Sequence, residues 1–459
     1  MKVFMLGWEY PPSISGGLGT ACHGLTTALA RAGVEIDFVV PRVHGDEDAA
    51  HMRLEAADDR RTPRDPDAAR SLRAAGHQAQ VDPGTPAAPR GVRHLRVAAR
   101  LRPYQTAAAP GAPGTGDGGT AGAAAKRSAE PATPATESPA MALYGGDLFD
   151  DVGRYADRVA ALASGHDFDL VHAHDWLTWP AGTVVARQHG KPLVVHVHSL
   201  EHDRAGDRPD PRIVAIEHDG LLAADGIIAV SRYARARVHR FHGVPLDRID
   251  VVHNGVTMPA DPRPAAAVPP ARPTVLFLGR VTHQKGPQYF VRAAARVVRH
   301  VPDAAFVVAG TGDLLDDLAR EAETLGLGTS VTFAGFLHGA AVARAYRGAD
   351  VFVMPSVSDP FGIAALEAMS FGTPVVVSRQ SGVAELVQHV LKVDGWDVDR
   401  IARAIVWLVR NPALRTRMAA AARDEARRLH WDAAAASTRN VYHAVTRRPL
   451  PSRAPSVAY

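Results

Sequence analysis

Val351-Phe352-Val353-Met354-Pro355-Ser356-Val357-Ser358-Asp359-Pro360-Phe361-Gly362-Ile363-Ala364-Ala365-Leu366-Glu367-Ala368-Met369-Ser370-Phe371-Gly372-Thr373-Pro374-Val375-Val376-Val377 reads as strand, loop, helix and second strand. The runs Val351 to Met354 and Pro374 to Val377 are short, Val-rich and almost wholly apolar, the pattern of parallel strands buried on both faces. Between them, Pro360 and Phe361-Gly362 suit an entry loop, and Ile363 to Ser370 the first turns of a helix. A helix N-terminus leaves backbone N–H groups unpaired and carries partial positive charge, so the one opening at Gly362-Ile363 attracts a phosphate or sugar oxygen. Asp359 lies at its mouth. Glu367, further along, offers a carboxylate that can accept two hydroxyl hydrogen bonds, as a ribose diol requires. An N-cap Asp and a solvated helical Glu would carry the same letters.

Upstream, Phe277-Leu278-Gly279-Arg280-Val281-Thr282-His283-Gln284-Lys285-Gly286-Pro287 ends an apolar strand and delivers two cations into a loop that Pro287 closes by starting a helix. Two cations on one strand-to-helix loop can flank a diphosphate, Arg280 gripping bidentately and Lys285 acting as a movable point charge. Lysine is scarce, occurring only at 2, 126, 191, 285 and 392 among 52 basic residues, so its presence in this loop carries information. Near the N-terminus, Trp8 to Thr20 follows a first strand and opens a helix. Gly16 and Gly17 there let the backbone approach a ligand closely, although the loop is not the G-x-G-x-x-G dinucleotide fingerprint.

The same strand-helix alternation runs through two halves. Strands are predicted at 2–7, 35–40, 170–174, 193–198, 226–230 and 250–253 in the first half, and at 274–278, 305–309, 330–333, 351–354 and 374–377 in the second. Pro259 to Pro273, with six prolines, is the natural linker between a first domain of residues 1–258 and a second of 274–430. Residues 431–447 read as a closing helix and 448–459 as a tail. Residues 44–140, rich in Ala, Pro, Gly and Arg, read as a surface insertion whose apolar content is mostly Ala.

The chain has 459 residues, 46% of them hydrophobic, enough for two or three domains with real cores. The formal net charge is only +4, and the basic residues are scattered among acids, which argues against a nucleic-acid stripe. Cys22 is the sole cysteine, which excludes an internal disulfide and a multi-Cys zinc site. The apolar run at Met1 to Gly7 is too short for a signal peptide, and no stretch reaches the ~20 apolar residues of a membrane span. A soluble cytoplasmic protein without a transmembrane segment is the expectation.

Histidines gather at two strand ends, Val171-His172-Ala173-His174-Asp175-Trp176 and His196-Val197-His198-Ser199-Leu200-Glu201-His202-Asp203. Each H-x-H pair points to one face of its strand, so a metal site is weighed. The second run approaches the H-x-H-x-D-H pattern of a binuclear metallohydrolase, but an extra residue intervenes and Glu201 replaces the first Asp. Neutral histidines that hold sugar hydroxyls fit equally well.

In order along the chain stand G-G-L-G (16–19), H-A-H-D-W (172–176), V-H-S (197–199), H-N-G-V (253–256), G-R-x-x-x-x-K-G (279–286), A-G-x-G-D (309–313), and finally Asp359, seven residues and E-A-M (367–369). This set resembles the retaining, nucleotide-sugar-dependent glycosyltransferases of the GT-B fold, an α/β architecture of two Rossmann-like, doubly wound parallel-sheet domains facing a cleft. The first half is similar to the starch and glycogen synthase catalytic domain, the second to the group 1 glycosyltransferases. The resemblance implies transfer of a hexosyl unit from a nucleoside-diphosphate sugar to a carbohydrate or other hydroxyl acceptor, an α-glucan among them, with no nucleic-acid partner, cofactor or metal.

Residue by residue, the resemblance implies that Arg280 and Lys285 bind the donor diphosphate and stabilise the leaving nucleotide. It implies further that Gly16, Gly17, Gly362 and Ile363 contact the donor and that Glu367 holds its ribose. Asp359 and His198 would stand beside the donor sugar, and Glu9 and Asp175 near sugar and acceptor. The last helix, 431–447, would cross back onto the first domain. Two positions depart from the family pattern: Asp359 stands where Glu is usual, and Ile14-Ser15 stand where ADP-glucose-dependent synthases carry Lys-Thr. An epimerase of the same fold and a metallohydrolase using the H-x-H clusters are the alternative readings.

Ala107 to Pro139 contains almost no large apolar side chain, so it is expected to be mobile and dispensable for folding. Its deletion should leave the melting temperature nearly unchanged; a large loss would make the segment part of the core.

Overall fold

A computed structural model describes residues 1–11, 16–41, 52–56, 92–96, 148–260 and 272–447, the two short stretches 52–56 and 92–96 as strands alone. The Pro/Gly-rich part of the insertion, Ile14-Ser15, most of the linker and the tail lie outside these residues.

The first half builds an eight-stranded sheet from β1 (Lys2–Leu6), β2 (Glu35–Val40), β3 (Met52–Ala56), β4 (Val92–Arg96), β5 (Leu170–His174), β6 (Leu193–Val197), β7 (Gly226–Ala229) and β8 (Ile249–Val251). Their spatial order is β3-β4-β2-β1-β5-β6-β7-β8. The second half builds a six-stranded sheet from β9 (Thr274–Leu278), β10 (Ala305–Ala309), β11 (Val331–Gly335), β12 (Val351–Met354), β13 (Val375–Ser378) and β14 (Leu391–Val393), in the order β11-β10-β9-β12-β13-β14. Every strand pair is parallel. The central strands are buried on both faces because helices cover them; all five residues of β5 and of β6 are buried, the histidines among them. This is the two-domain GT-B architecture that the alternating pattern implies.

Three strands were not anticipated. β3 and β4 extend the first sheet beyond β2, inside the stretch read as an insertion, and β14 closes an edge of the second sheet. The sequences M-R-L-E-A and V-R-H-L-R carry few apolar residues, and β14 spans three residues, so none gives the apolar run that marked the others. The last strand of the first sheet also begins at Ile249 and not at Asp250.

Helices follow the usual division of faces. In α2 (Leu148–Ala163), Val152, Tyr155, Ala156, Val159 and Ala163 are buried, the spacing of one apolar stripe at 3.6 residues per turn. The final helix, α13 (Trp431–Thr446), does not pack on the second sheet. It lies on α1 (Gly17–Arg31) and β7 of the first half. Two glycines admit it: a Cβ on Gly24 would fall 2.1 Å from Trp431 Cε2, and one on Gly226 would fall 2.9 Å from Val445 Cγ1. Tyr442, fully buried, places its hydroxyl 2.6 Å from His172 Nδ1. The C-terminal end of the chain thus returns from the second half to the first. No helix among the described residues is long and apolar enough to cross a membrane.

The rigid Trp431 ring beside Gly24 gives a direct test. Gly24→Ala should cost about 1–3 kcal/mol and lower the melting temperature by several degrees. Gly153→Ala, at a site with nothing within 4 Å of the new methyl, should not. Equal melting temperatures for Gly24→Ala and the parent would refute this packing.

Candidate active site

Strand order reverses between β1 and β5 in the first sheet and between β9 and β12 in the second. At such switch points adjacent loops diverge and leave a crevice at the strand C-termini. The two crevices face each other, and their loops carry the motif residues.

In the second half, close backbone approach sets the loop after β9. A Cβ on Gly310 would fall 1.8 Å from Gly279 O, and one on Gly312 would fall 2.3 Å from Val281 O, so the two backbones touch where only glycine fits. Gly279 N–H donates to Ala309 O at 3.0 Å and Val281 N–H to Thr311 O at 2.8 Å, which extends the ladder past the strand ends. Arg280 Nη2 donates to Gln284 Oε1 at 3.1 Å. Gly286, at φ 68°, presses against Pro355 O, where a Cβ would lie at 2.1 Å. That contact brings Lys285 beside the loop after β12, and Lys285 Nζ reaches Asp359 Oδ2 at 2.8 Å. Asp359 is 4% exposed and also accepts from Ser356 Oγ at 3.3 Å.

Helix α10 (Ile363–Ser370) follows, capped by Gly362 at φ 97°, where a Cβ would meet Met354 Cε at 2.5 Å. Its first turn opens on the cleft. Glu367 Oε2 accepts from Tyr346 Oη at 2.9 Å. Burial raises the Glu367 carboxyl above its ordinary range, and the Tyr346 hydroxyl offsets part of the rise.

From the first half, Asp175 stands at the end of β5 with φ 57°, a left-handed conformation uncommon outside glycine. Its Oδ1 accepts the backbone N–H groups of His198, at 2.7 Å, and Ser199, at 3.1 Å. Burial pushes its pKa up to about 7, against the pull of Arg204 and of those two N–H groups. Behind it, buried Arg204 donates to Ser199 Oγ at 2.7 Å, Glu201 Oε2 at 3.1 Å and Glu217 Oε1 at 2.8 Å. Its charge therefore has two carboxylates to face, as a buried guanidinium needs. Glu9 Oε1 accepts from Gly19 N–H at 2.8 Å and so anchors the first turn of α1. The glycine loop before that turn faces the second half. Arg280 Nε lies 3.6 Å from the Cβ position of Gly16, and Ile363 Cδ1 lies 4.0 Å from that of Gly17.

The two halves touch at the Asp359 loop. Ser231 Oγ donates to Pro360 O at 2.5 Å, Ser358 Oγ donates to Asp203 Oδ1 at 2.6 Å, and Tyr233 Oη lies 3.0 Å from Ser358 Oγ. Glu385 accepts from the N–H groups of Arg232 and Tyr233 and lies 2.6 Å from His253 Nε2.

All eleven residues singled out from the sequence line one cavity of about 280 Å³: Glu9, Gly16, Gly17, Asp175, His198, Arg280, Lys285, Asp359, Gly362, Ile363 and Glu367. Its walls also include Asn254, Gln284, Thr311 and Ser356, which sequence reasoning passed over. Asn254, Gln284 and Thr311 sit within the H-N-G-V, G-R-x-x-x-x-K-G and A-G-x-G-D runs, so a signal existed; nothing local marked Ser356.

Known proteins resemble the chain over nearly its whole length. The "Glycosyl transferases group 1" family matches residues 261–425, "Glycosyltransferase Family 4" matches 123–258 and "Starch synthase catalytic domain" matches 2–81. An uncharacterized glycosyltransferase of Methanocaldococcus jannaschii is 27% identical over 96% of this chain and 98% of its own length. A D-inositol 3-phosphate glycosyltransferase of Xylanimonas cellulosilytica is 33% identical over 63% of this chain and 75% of its own length. Among solved structures, sucrose-phosphate synthase of Thermosynechococcus elongatus superposes with a TM-score of 0.67 at 21% identity, covering 97% of this chain and 98% of that one. Anabaena HepE, solved with UDP and glucose, gives 0.62 at 15% identity over 97% and 100% of the two chains. With this fold, this order of motifs and these relatives, the chain is a glycosyltransferase of the GT-B fold and belongs to the group 1 glycosyl transferase family.

Proposed function

We propose that the chain moves a hexosyl unit from a nucleoside-diphosphate sugar to a hydroxyl acceptor with retention of anomeric configuration. The observation that carries this reading is that Arg280, Lys285, the N-terminus of α10, the Gly16-Gly17 backbone, Glu367, His198, Asp359 and Asp175 all line one cavity, with Gly16 against Arg280, Gly17 against Ile363 and Lys285 against Asp359. Two cations and a helix N-terminus suit a diphosphate. Glu367 suits the ribose diol beyond it. The sugar then falls between Asp359 and His198, facing the first half.

In such a complex, negative charge grows on the diphosphate as the bond between C1 and the phosphate oxygen breaks. Cations already in place stabilise that state more than the ground state. The acceptor oxygen bonds to C1 on the face the phosphate leaves, and the acceptor proton passes to a phosphate oxygen. The nearby carboxylates are held in other bonds, which supports this route: Asp175 Oδ1 takes two backbone N–H groups and Asp359 takes Lys285. Donor binding has to draw Lys285 partly away from Asp359, which frees that carboxylate for a donor hydroxyl. Relatives named for inositol phosphate and sucrose phosphate chemistry put polyol and sugar phosphates beside α-glucans as acceptors to try.

Product analysis tests the reaction directly. With UDP-glucose, ADP-glucose and GDP-linked sugars screened against those acceptors, an α-linked donor should give an α-linked product, and an inverted product would overturn retention. Lys285→Ala should lower kcat by about a hundredfold or more while changing nucleotide affinity less.

The ion pair has its own thermodynamic signature. Lys285→Ala leaves the 4% exposed Asp359 without its cation and should cost about 1–3 kcal/mol, less than a fully buried pair because the lysine is partly solvated. Adding Asp359→Asn should recover most of that loss. A double variant as unstable as the sum of the two singles would show that the pair is not coupled.

A further inference from the structure

Four histidines stack at the centre of the first sheet. His172 and His174 lie on β5, His196 lies on β6, and His198 follows it. Neighbouring ring centroids are 4.3 Å apart for His172 with His174 and for His196 with His198, and 5.3 Å apart for His172 with His196. Burial holds all four below the ordinary imidazole range, so the stack is neutral. Nitrogens of His172, His174 and His196 approach within 4.8 Å of one another. Two of the three ring pairs are stacked, at 8° and 27°, and the third is tilted at 31°, an arrangement closer to rings lying side by side than to three ligands pointing at one ion. A metal centre needs convergence.

One contact leads from the stack to the cleft. His174 Nδ1 lies 2.9 Å from His198 Nε2, and a single proton lies between them. Either ring can hold it. If His198 supplies the proton, neutral His174 must carry its own on Nε2, an atom buried without a partner among the described residues. If His174 supplies it, Nε2 is left as a lone pair. Buried N–H groups without an acceptor are the rarer of the two defects, which favours the second arrangement. His198 then has Nε2 as acceptor and its proton on Nδ1, the ring nitrogen left for a ligand in the cavity it lines.

We propose that His174 is a positioning residue that locks His198 as the Nδ1–H tautomer, so that His198 meets the substrates as a neutral hydrogen-bond donor and not as a base. The role for substrate rests on the transferase reading above; the tautomer itself does not. A donor fixed beside the sugar can hold a hydroxyl or ring oxygen, while the acceptor proton must go elsewhere. That fits its passage to the departing phosphate.

The test is 15N NMR of the full chain labelled at histidine, at pH about 8, above the ordinary imidazole range. The His198 resonances are assigned by their loss in His198→Gln. The parent should show Nδ1 protonated and Nε2 bare. In His174→Phe the His198 signal should shift toward the Nε2–H form, with kcat down about ten- to hundredfold and the donor KM little changed. His174→Asn, whose side-chain N–H can stand where Nδ1–H stands, should restore both readouts. An Nε2–H form in the parent overturns the proposal, and so does an Nδ1–H form unchanged in His174→Phe. The parent spectrum decides even if a variant fails to fold. It decides equally if no sugar transfer is found, which separates failure of this proposal from failure of the transferase reading.

Discussion

Parallel strand pairing in both sheets is the constraint on which the rest depends. A parallel strand needs a crossover, so every loop that leaves a strand C-terminus emerges on one edge of its sheet. Each sheet therefore gathers residues that are far apart in sequence: Glu9 after β1, Asp175 after β5 and His198 after β6 in one, Arg280 after β9, Thr311 after β10 and Asp359 after β12 in the other. The last helix then brings the chain back onto the first half. It does so through apolar packing around Trp431, Tyr442 and Val445, all buried, against glycines that leave room for them.

Charge inside the cleft is arranged in two layers. The inner layer is held in the loops of the second half, Lys285 bonding to Asp359 across two loops and Arg280 to Gln284 within one. The outer layer, behind Asp175, is a buried set of Glu201, Arg204 and Glu217 that reaches the cavity through Ser199. Neighbouring Asp203 accepts from Ser358 and pairs with Arg237, so the short helical turn that carries Glu201 and Arg204 also grips the loop carrying Asp359. Any movement of the two halves has to break or carry these bonds, and they lie one or two residues from the groups proposed to hold the sugar.

Much of this was legible in the letters. Val351 to Met354 and Thr274 to Leu278 announced buried strands, and the residues after them could only be loops at a strand end. Arg280 and Lys285, five residues apart on one loop, announced a pair of cations. β3 and β4 were not legible, because M-R-L-E-A alternates over five residues only, V-R-H-L-R does not alternate, and both stand in Ala- and Pro-rich sequence. Asp175's left-handed backbone was not legible either, since nothing local demands it; its carboxylate is held by two N–H groups of the loop after β6.

Sequence alone determined the α/β class and the two-sheet organisation, because apolar run length, glycine and charge act over a few residues, and it named eleven of the residues that line the cleft, in part only through the family resemblance. Tertiary structure alone decided which of them pair. Lys285 meets Asp359 across 74 positions, His174 meets His198 across 24 and Ser358 meets Asp203 across 155. A hydrogen bond at under 3 Å depends on where two loops end in space, and that position is set by the packing of whole sheets and not by any letter near either partner.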